Sequence, residues 1–331
     1  VLNPFGLNGL RPQSNVTWGK CDVTFITRFA PSPTGPLHLG HAYSAMLAYD
    51  MALANGGDFL LRIEDIDRSR ARDQWEAQIY DDLAWLGLWW LTPVMRQSDQ
   101  IDRYKSALEY LWASGVLYPC TCTRRDIETA ASAPQEGAPL LGPDGIIYPQ
   151  TCKGSKSDYY QRLAEQDDVP TNTVLRLDME RACKTSAEVD HRIASLQPRG
   201  NWISGFTETG SGPNGETGRI EFSFQDVIET IGDIVLSRRD MGTSYHLSVV
   251  LDDAAQGVTH VVRGQDLFEA TKIHVILQNL LGLPTPTYHH HKLIRDDTGK
   301  RLAKRDDARS IAKYREEGFT PLDIRKMVGL N

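Results

Sequence analysis

No long apolar run occurs in the 331 residues: stretches such as Leu83–Leu91 (LAWLGLWWL) fall far short of the ~18 residues a membrane span needs. The opening VLNPFGLNGL has no basic n-region of a signal peptide and no initiator Met. These absences predict a soluble, cytoplasmic protein. There is no excess of positive charge either. The 36 Lys+Arg against 43 Asp+Glu leave a net −7, which argues against a chain coated for nonspecific nucleic-acid binding, although a local basic surface is compatible with that total. Cysteine is sparse and odd in number (Cys21, Cys120, Cys122, Cys152 and Cys183), so a disulfide framework is not expected. We find no internal repeat. What is present, 40% hydrophobic and 24% charged residues with 27 Gly and 17 Pro, is ordinary globular composition and excludes collagen-like, disordered and coiled-coil chains. The length corresponds to roughly two domains at ~150 residues each.

After a Gly/Asn/Pro-rich lead, Val23–Arg28 (VTFITR) reads as a buried strand. It enters a turn-rich loop, Pro31–Pro36, and then an Ala-rich helix from His41, stopped by Asn55-Gly56-Gly57. Phe59–Ile63 is the next strand. Strand, loop, helix, strand within some 40 residues is a βαβ unit, which predicts α/β architecture with a parallel sheet and ligands at the carboxyl ends of its strands. A following helix carries Trp75, Ile79, Leu83 and Leu86 and reads as capped near Asp67 or Ser69. From about Cys120 to Phe222 the periodicity is poor, with loop-like tracts at Ala130–Gly145 and Pro198–Gly218, so this region reads as an insertion. Regular pattern resumes at Ile234-Val-Leu236 and His246–Leu251, with another strand at Val258–Arg263. A helix over Gln265–Leu281 is ended by Gly282. The expected organisation is an N-terminal extension (1–21), a first catalytic half (22–119), an insertion (120–223), a second catalytic half (224–295) and a loop with a C-terminal helical region (296–331).

Two constellations carry chemistry. In His38-Leu-Gly-His41, two imidazoles flank a glycine at a helix N-terminus, where backbone N–H groups and the helix dipole favour phosphate and Gly40 permits close approach. Such imidazoles can donate to a pentavalent phosphoryl group as charge builds. Near the other end, Asp297-Thr-Gly299 makes a turn between two short strands. Lys300, Arg301, Lys304 and Arg305 follow, a cationic loop suited to clamping a triphosphate. Taken alone, each is also compatible with a solvated surface. They lie 266 residues apart (38 to 304).

Together they resemble the HIGH and KMSKS motifs of class I aminoacyl-tRNA synthetases, a doubly wound Rossmann-type fold. More narrowly, the chain resembles the glutamyl branch at Arg28-Phe-Ala-Pro-Ser-Pro-Thr-Gly35, Leu61-Arg-Ile-Glu-Asp-Ile-Asp67, Val249-Val-Leu-Asp-Asp-Ala254 and Thr259-His-Val-Val-Arg-Gly264. The resemblance implies that Arg28, Phe29, Ala30, Pro31 and Ser32 bind the amino acid. Arg28 meets a glutamate carboxylate fork to fork, Glu64 takes the α-ammonium, Tyr245 hydrogen-bonds the substrate, and Arg263 is a second carboxylate partner. It further implies that His38, Gly40, His41, Arg301 and Lys304 bind ATP, a substrate taken with Mg²⁺, and that His38, His41 and Lys304 are catalytic. The loop departs from the family: Arg301 replaces the first Lys and Ala303 the Ser of KMSKS, which puts one phosphate contact in doubt while Lys304 is retained.

Only 26 residues follow Arg305, too few for an independent anticodon-binding domain, since chains under ~40 residues rarely fold alone. The chain is therefore expected to be similar to the short glutamyl-queuosine branch, whose members activate glutamate without tRNA and transfer it to the queuosine base at the wobble position of tRNA(Asp). The competing expectations are a fragment of an enzyme charging tRNA(Glu), a non-catalytic tRNA-binding paralogue and a small-molecule nucleotidylyltransferase. Cys120-x-Cys122 and Cys152 supply three thiols compatible with one structural Zn²⁺. The short branch's Cys-x-Cys…Tyr-x-x-x-Cys pattern implies Tyr148 as fourth ligand, with water or a carboxylate such as Asp144 as alternatives. The linker Thr123–Ile147, 25 residues long, points to an enlarged insertion. Cys21 and Cys183 read as ordinary thiols. A monomer is expected.

Overall fold

The computed structural model of the protein describes residues 24–131, 141–153, 168–189, 203–295 and 309–330. The expected βαβ unit is present as β1 (Ile26–Phe29), α1 (Leu39–Ala54) and β2 (Asp58–Ile63). The helix begins two residues before the expected start because His38 is its N-cap. Gly57 is required where the chain enters β2. A Cβ there would lie 1.8 Å from the Phe25 carbonyl oxygen, the same oxygen that accepts from Asp58 N–H at 2.8 Å. α2 (Asp73–Trp85) has its N-cap at Arg72 rather than near Asp67 or Ser69. Asp67 is instead occupied locally, accepting from Ser69 Oγ at 2.6 Å and Arg70 Nε at 2.5 Å. The Arg72 N–H is bonded to the Pro33 carbonyl, which ties the helix start to the loop before His38.

β3 (Leu91–Arg96) completes a parallel sheet in the order β1-β2-β3. α3 (Ile101–Ala113) leads to β4 (Leu117–Cys120), followed by α4 (Arg124–Ala131) and a small hairpin of β5 (Leu141–Gly142) and β6 (Gly145–Ile146). After β7 (Val174–Leu177) and α5 (Met179–Val189), β8 (Ile203–Glu208) and β9 (Gly218–Ser223) form an antiparallel pair. The tract read as loop thus contains a strand. Its Ser, Gly and Thr hide the pattern in the sequence, although Ser204, Phe206 and Glu208 alternate into the interior.

α6 (Phe224–Thr230) precedes β10 (Val235–Ser237), which pairs antiparallel with β7. The run at Ile234–Leu236 therefore joins the antiparallel β10-β7-β4 sheet, not the parallel one. His246–Leu251 belongs to a helix, α7 (Tyr245–Ala255), capped by Ser244. β11 (His260–Gly264), α8 (Thr271–Leu281) and β12 (Thr287–His291) follow, and Gly282 ends α8 in the left-handed region at φ 64°. The strands β11, β12 and β8 run parallel. Ile26 N–H donates to Thr259 Oγ1 at 2.8 Å and Thr259 N–H to Ile26 O at 3.0 Å, so β1 lies beside β11 and the two parallel groups meet there. This is the Rossmann-type α/β arrangement expected from the sequence. Two short helices, α9 (Ile311–Glu316) and α10 (Pro321–Val328), close the described chain. No helix among the described residues is long and apolar enough to cross a membrane.

One buried charge stands out. Asp82 on α2 is 1% exposed, and among the described residues neither carboxylate oxygen has a hydrogen-bond partner. Burial, helped by neighbouring Asp81 and opposed by Arg315, pushes its pKa up to about 7. The folded state thus holds this proton more tightly than the unfolded chain does. Its stabilising effect is complete below the ordinary carboxylate range near ~3.9 and is lost as pH rises towards 7. Urea melts at pH 5 and pH 8 should show this loss, with a slope approaching ~1.4 kcal/mol per pH unit. Asp82→Asn should flatten the profile and raise the midpoint at pH 8; an unchanged profile would refute the assignment.

Candidate active site

The cleft opens at the carboxyl ends of β1, β2, β11 and β12, and has a volume of about 380 Å³, within the range of small-ligand sites. On one wall, the start of α1 sets two imidazoles. His38 Nδ1 accepts from Gly40 N–H at 3.1 Å, and His41 Nδ1 accepts from His38 N–H at 3.2 Å, with the rings 3.8 Å apart. Because both Nδ1 atoms are acceptors, each neutral ring carries its hydrogen on Nε2 and presents a donor there. Gly40 is required locally: a Cβ would sit 3.0 Å from His38 Cε1 and 3.2 Å from Nδ1, crowding the cap.

The opposite wall is a network of charge. Arg28, from β1, donates through Nε and Nη2 to the two oxygens of Asp253 at 2.9 and 3.2 Å. Its expected fork is therefore held by α7, and Nη1 also donates to the Val262 carbonyl at 3.5 Å, which leaves one N–H on each of Nη1 and Nη2 on a residue that lines the cleft. Asp253 also accepts from Arg62 Nη1 at 2.6 Å, while Arg62 Nη2 reaches Glu64 at 3.2 Å. Arg62 is fully buried and was not singled out from the sequence; nor was Asp253. The only sequence signal was their place inside the two quoted motifs. Burial raises the Asp253 pKa, but Arg28 and Arg62 outweigh it and hold the carboxyl below its ordinary value. At Glu64 burial prevails over Arg62 and Arg28, and the pKa is raised. A buried carboxylate of this kind is suited to accepting a ligand cation, whose charge favours its ionised form.

Arg263 and Tyr245 also face the cleft with Arg28, Phe29, Ala30 and Glu64. Pro31 and Ser32 do not line it. The Pro31 carbonyl accepts from Glu64 N–H at 3.0 Å and that of Ser32 from Thr34 N–H at 2.8 Å, so they shape the loop. Burial raises the Tyr245 phenol pKa, which keeps its O–H as a donor. Arg301, Ala303, Lys304 and the expected turn at Asp297–Gly299 lie outside the described residues. The chain on either side of them does reach the cleft: Leu293 and Ile294 line it, and Ser310 forms a β-bridge with His38.

A second cluster lies at the end of β4. The thiol sulfurs of Cys120, Cys122 and Cys152 fall within 4.8 Å of one another, and Cys122 Sγ is 3.3 Å from Cys152 Sγ. A tetrahedral ion with ~2.3 Å bonds sets its thiolates about 3.8 Å apart, so the cluster can hold a metal. The Tyr148 hydroxyl is 3.4 Å from both Cys120 and Cys122. Burial raises the Cys152 thiol pKa, but donation from Tyr148 and from Thr121 N–H overrides it and brings the value to about 6. Asp144 is not part of the cluster; its carboxylate is bonded to His246. Cys183 is a buried ordinary thiol, and Cys21 lies outside the described residues.

Paired imidazoles at a helix start, facing a charged pocket across a parallel sheet, define the catalytic domain of a class I aminoacyl-tRNA synthetase, a ligase. The family model described as "tRNA synthetases class I (E and Q), catalytic domain" matches residues 24–194 and 214–331. The chain is 60% identical over 306 residues, 92% of this chain and all of the relative, to a glutamyl-Q tRNA(Asp) synthetase of Rhodobacter capsulatus. It is 40% identical to one of Nocardia farcinica, over 90% of this chain and 81% of that protein. Among solved structures it is similar to a glutamate tRNA ligase from Elizabethkingia meningosepticum in complex with its amino acid, with TM-score 0.66, 26% identity and 92% of this chain covered. The chain spans 60% of that ligase's length. The chain belongs to the class I tRNA synthetase family for E and Q, and within it to the glutamyl-Q tRNA(Asp) synthetases.

Arg62 tests the charge network. Replacing it with Met leaves Asp253 to Arg28 alone and takes the guanidinium from Glu64, breaking a buried network, so Arg62→Met should destabilise the fold by about 3–5 kcal/mol in urea melts. A loss below ~1 kcal/mol, the value of an exposed pair, would show that the network is not a structural requirement.

Proposed function

We propose that the protein activates glutamate with ATP, without requiring tRNA, and then transfers the glutamyl group to the queuosine base at the wobble position of tRNA(Asp). The observation that carries this reading is the convergence of Arg28, Glu64, Tyr245 and Arg263 with His38 and His41 around one cleft. A glutamate needs two cationic partners for its carboxylates and an anionic one for its ammonium. Arg28 and Arg263 answer the first need and Glu64 the second, with Tyr245 as a hydrogen-bonding partner. The glutamate α-carboxylate oxygen attacks the ATP α-phosphorus. The new P–O bond replaces the bond to the bridging oxygen, and pyrophosphate leaves, with Mg²⁺ accompanying the nucleotide. The Nε2–H groups of His38 and His41 donate to the α-phosphoryl oxygens, where charge accumulates. A queuosine ring hydroxyl then attacks the glutamyl carbonyl carbon, AMP departs, and the product is an ester. The choice of queuosine is supported by the naming of the relatives.

Arg301 and Lys304 would grip the leaving pyrophosphate. The contact between Ser310 and His38 supports this, because it returns the end of that segment to the imidazoles. Zinc is the metal best suited to the thiol cluster. Cys120, Cys122, Cys152 and Tyr148 would hold it, and it would order the insertion.

Lys304→Ala should lower glutamate-dependent ATP–pyrophosphate exchange about 10²-fold or more, with the circular dichroism spectrum unchanged; unaltered exchange would remove Lys304 from the chemistry. Exchange should proceed without tRNA, and labelled glutamate should reach tRNA(Asp) only when queuosine is present. Charging of tRNA(Glu) instead would favour a conventional glutamyl synthetase, and no exchange by folded protein a non-catalytic role. Elemental analysis should find zinc at about one ion per chain, reduced to background by Cys122→Ser, with a lower melting temperature; metal-free wild-type protein of the same stability would exclude the site.

A further inference from the structure

Arg263 is gripped from two sides by histidines, and the guanidinium dictates where their hydrogens lie. Arginine only donates. Its Nη1 is 3.0 Å from His274 Nδ1, so Nδ1 accepts and the neutral ring carries its hydrogen on Nε2. That hydrogen points at His246 Nδ1, 3.1 Å away. His246 in turn carries its hydrogen on Nε2 and donates to the Asp144 carboxylate at 2.9 and 3.0 Å. On the other side, Arg263 Nε donates to His290 Nε2 at 3.1 Å, and His290 Nδ1 donates to Glu208 at 2.5 Å. Nη2 is taken by Thr271 Oγ1 and the Leu267 carbonyl. Four of the five guanidinium N–H groups are thereby committed, and one on Nη1 is left on a residue that lines the cleft.

The two arms differ in kind. Glu208 and His290 are wholly buried side chains of adjacent strands. Asp144 is 48% exposed in its side chain and stands on a Pro143-Asp144-Gly145 turn, the tip of the β5–β6 hairpin within the insertion. His274 is kept neutral, its pKa well below the ordinary value through burial and the Arg263 charge, as the hydrogen placement demands.

We propose that Asp144 is a positioning residue for substrate: from the insertion hairpin it orients Arg263 through His246 and His274, so that docking of the insertion and binding of glutamate are coupled. This rests on the reading that Arg263 meets a glutamate carboxylate. Without Asp144, nothing holds the Nε2 side of the His246 ring, which is free to turn and withdraw Nδ1 from His274 Nε2–H. The His274 ring then loses its brace, and the guanidinium whose Nη1 it accepts from loses its orientation.

The test is ATP–pyrophosphate exchange by the full chain with glutamate and ATP varied in turn. Asp144→Ala should raise the glutamate KM about fivefold or more, with the ATP KM and the melting temperature unchanged. Asp144→Asn, which keeps an acceptor oxygen, should recover most of the loss. In an Arg263→Lys background, Asp144→Ala should add no further increase. An unchanged glutamate KM in Asp144→Ala, equal rises in both KM values, or full additivity with Arg263→Lys would each overturn the coupling. Arg263→Lys alone reports on the pocket. If it leaves the glutamate KM unaltered, the glutamate reading fails and the coupling with it. If it raises that KM while Asp144→Ala is silent, only the coupling fails.

Discussion

Asp253 is a single buried carboxylate shared by two guanidinium groups from different strands, and the geometry of the pocket depends on it. Arg28 comes from β1, Arg62 from β2, and Asp253 from a helix in the other half of the sheet. Isolating any one of these charges in the interior would be costly, whereas the paired arrangement is tolerated in one relative position of the three elements. The network therefore acts as a register device. It aligns the first βαβ unit with α7 and leaves the outer end of Arg28 at the cleft. Asp252 extends the same logic to α3, accepting from Tyr104 and Gln97.

The cleft divides its labour by kind of interaction. At the start of α1, donors are set by backbone geometry: each imidazole spends its Nδ1 lone pair on an N–H of the helix start, which puts its hydrogen on Nε2. On the wall that holds Arg28 and Arg263, orientation comes from side chains behind the lining residues. Arg263 is braced through histidines to Glu208 and Asp144, and Arg28 through Asp253. Preorganised donors of both kinds need little rearrangement when charge develops, which is the condition for electrostatic catalysis. The thiol cluster lies at the end of β4, and the charged residue at the tip of the small hairpin, Asp144, reaches back to His246 on α7.

Much of the site was legible in the residues. The alternation of strand, Gly/Pro loop and Ala-rich helix around His38 marks a βαβ unit, and the carboxyl-end rule puts its ligands where the cleft opens. The cysteine spacing identified three thiols that do come together. Other features were not legible. Asp67 offers a good cap by type, yet its side chain is consumed by Ser69 and Arg70, and the helix starts later. The strand at Ile203–Glu208 is written in Gly, Ser and Thr, and only its pairing with β9 and β12 reveals it. The motif containing Arg62 was visible, but its burial was not, because a charged residue in a strand looks the same whether its partner is water or Asp253.

By itself, the sequence determined the local grammar: the periodicity of the first βαβ unit, and the presence of imidazole, guanidinium and thiol groups at spacings that chemistry can use. These depend on contacts a few residues apart and leave a pattern in the chain. Tertiary structure alone decided who pairs with whom. Arg28 meets Asp253 across 225 positions, Asp144 meets His246 across 102, and Glu208 meets His290 across 82. Such pairings follow from burial, where a charge must find its counterpart or stay in water, and burial is a property of packed layers that no single segment encodes.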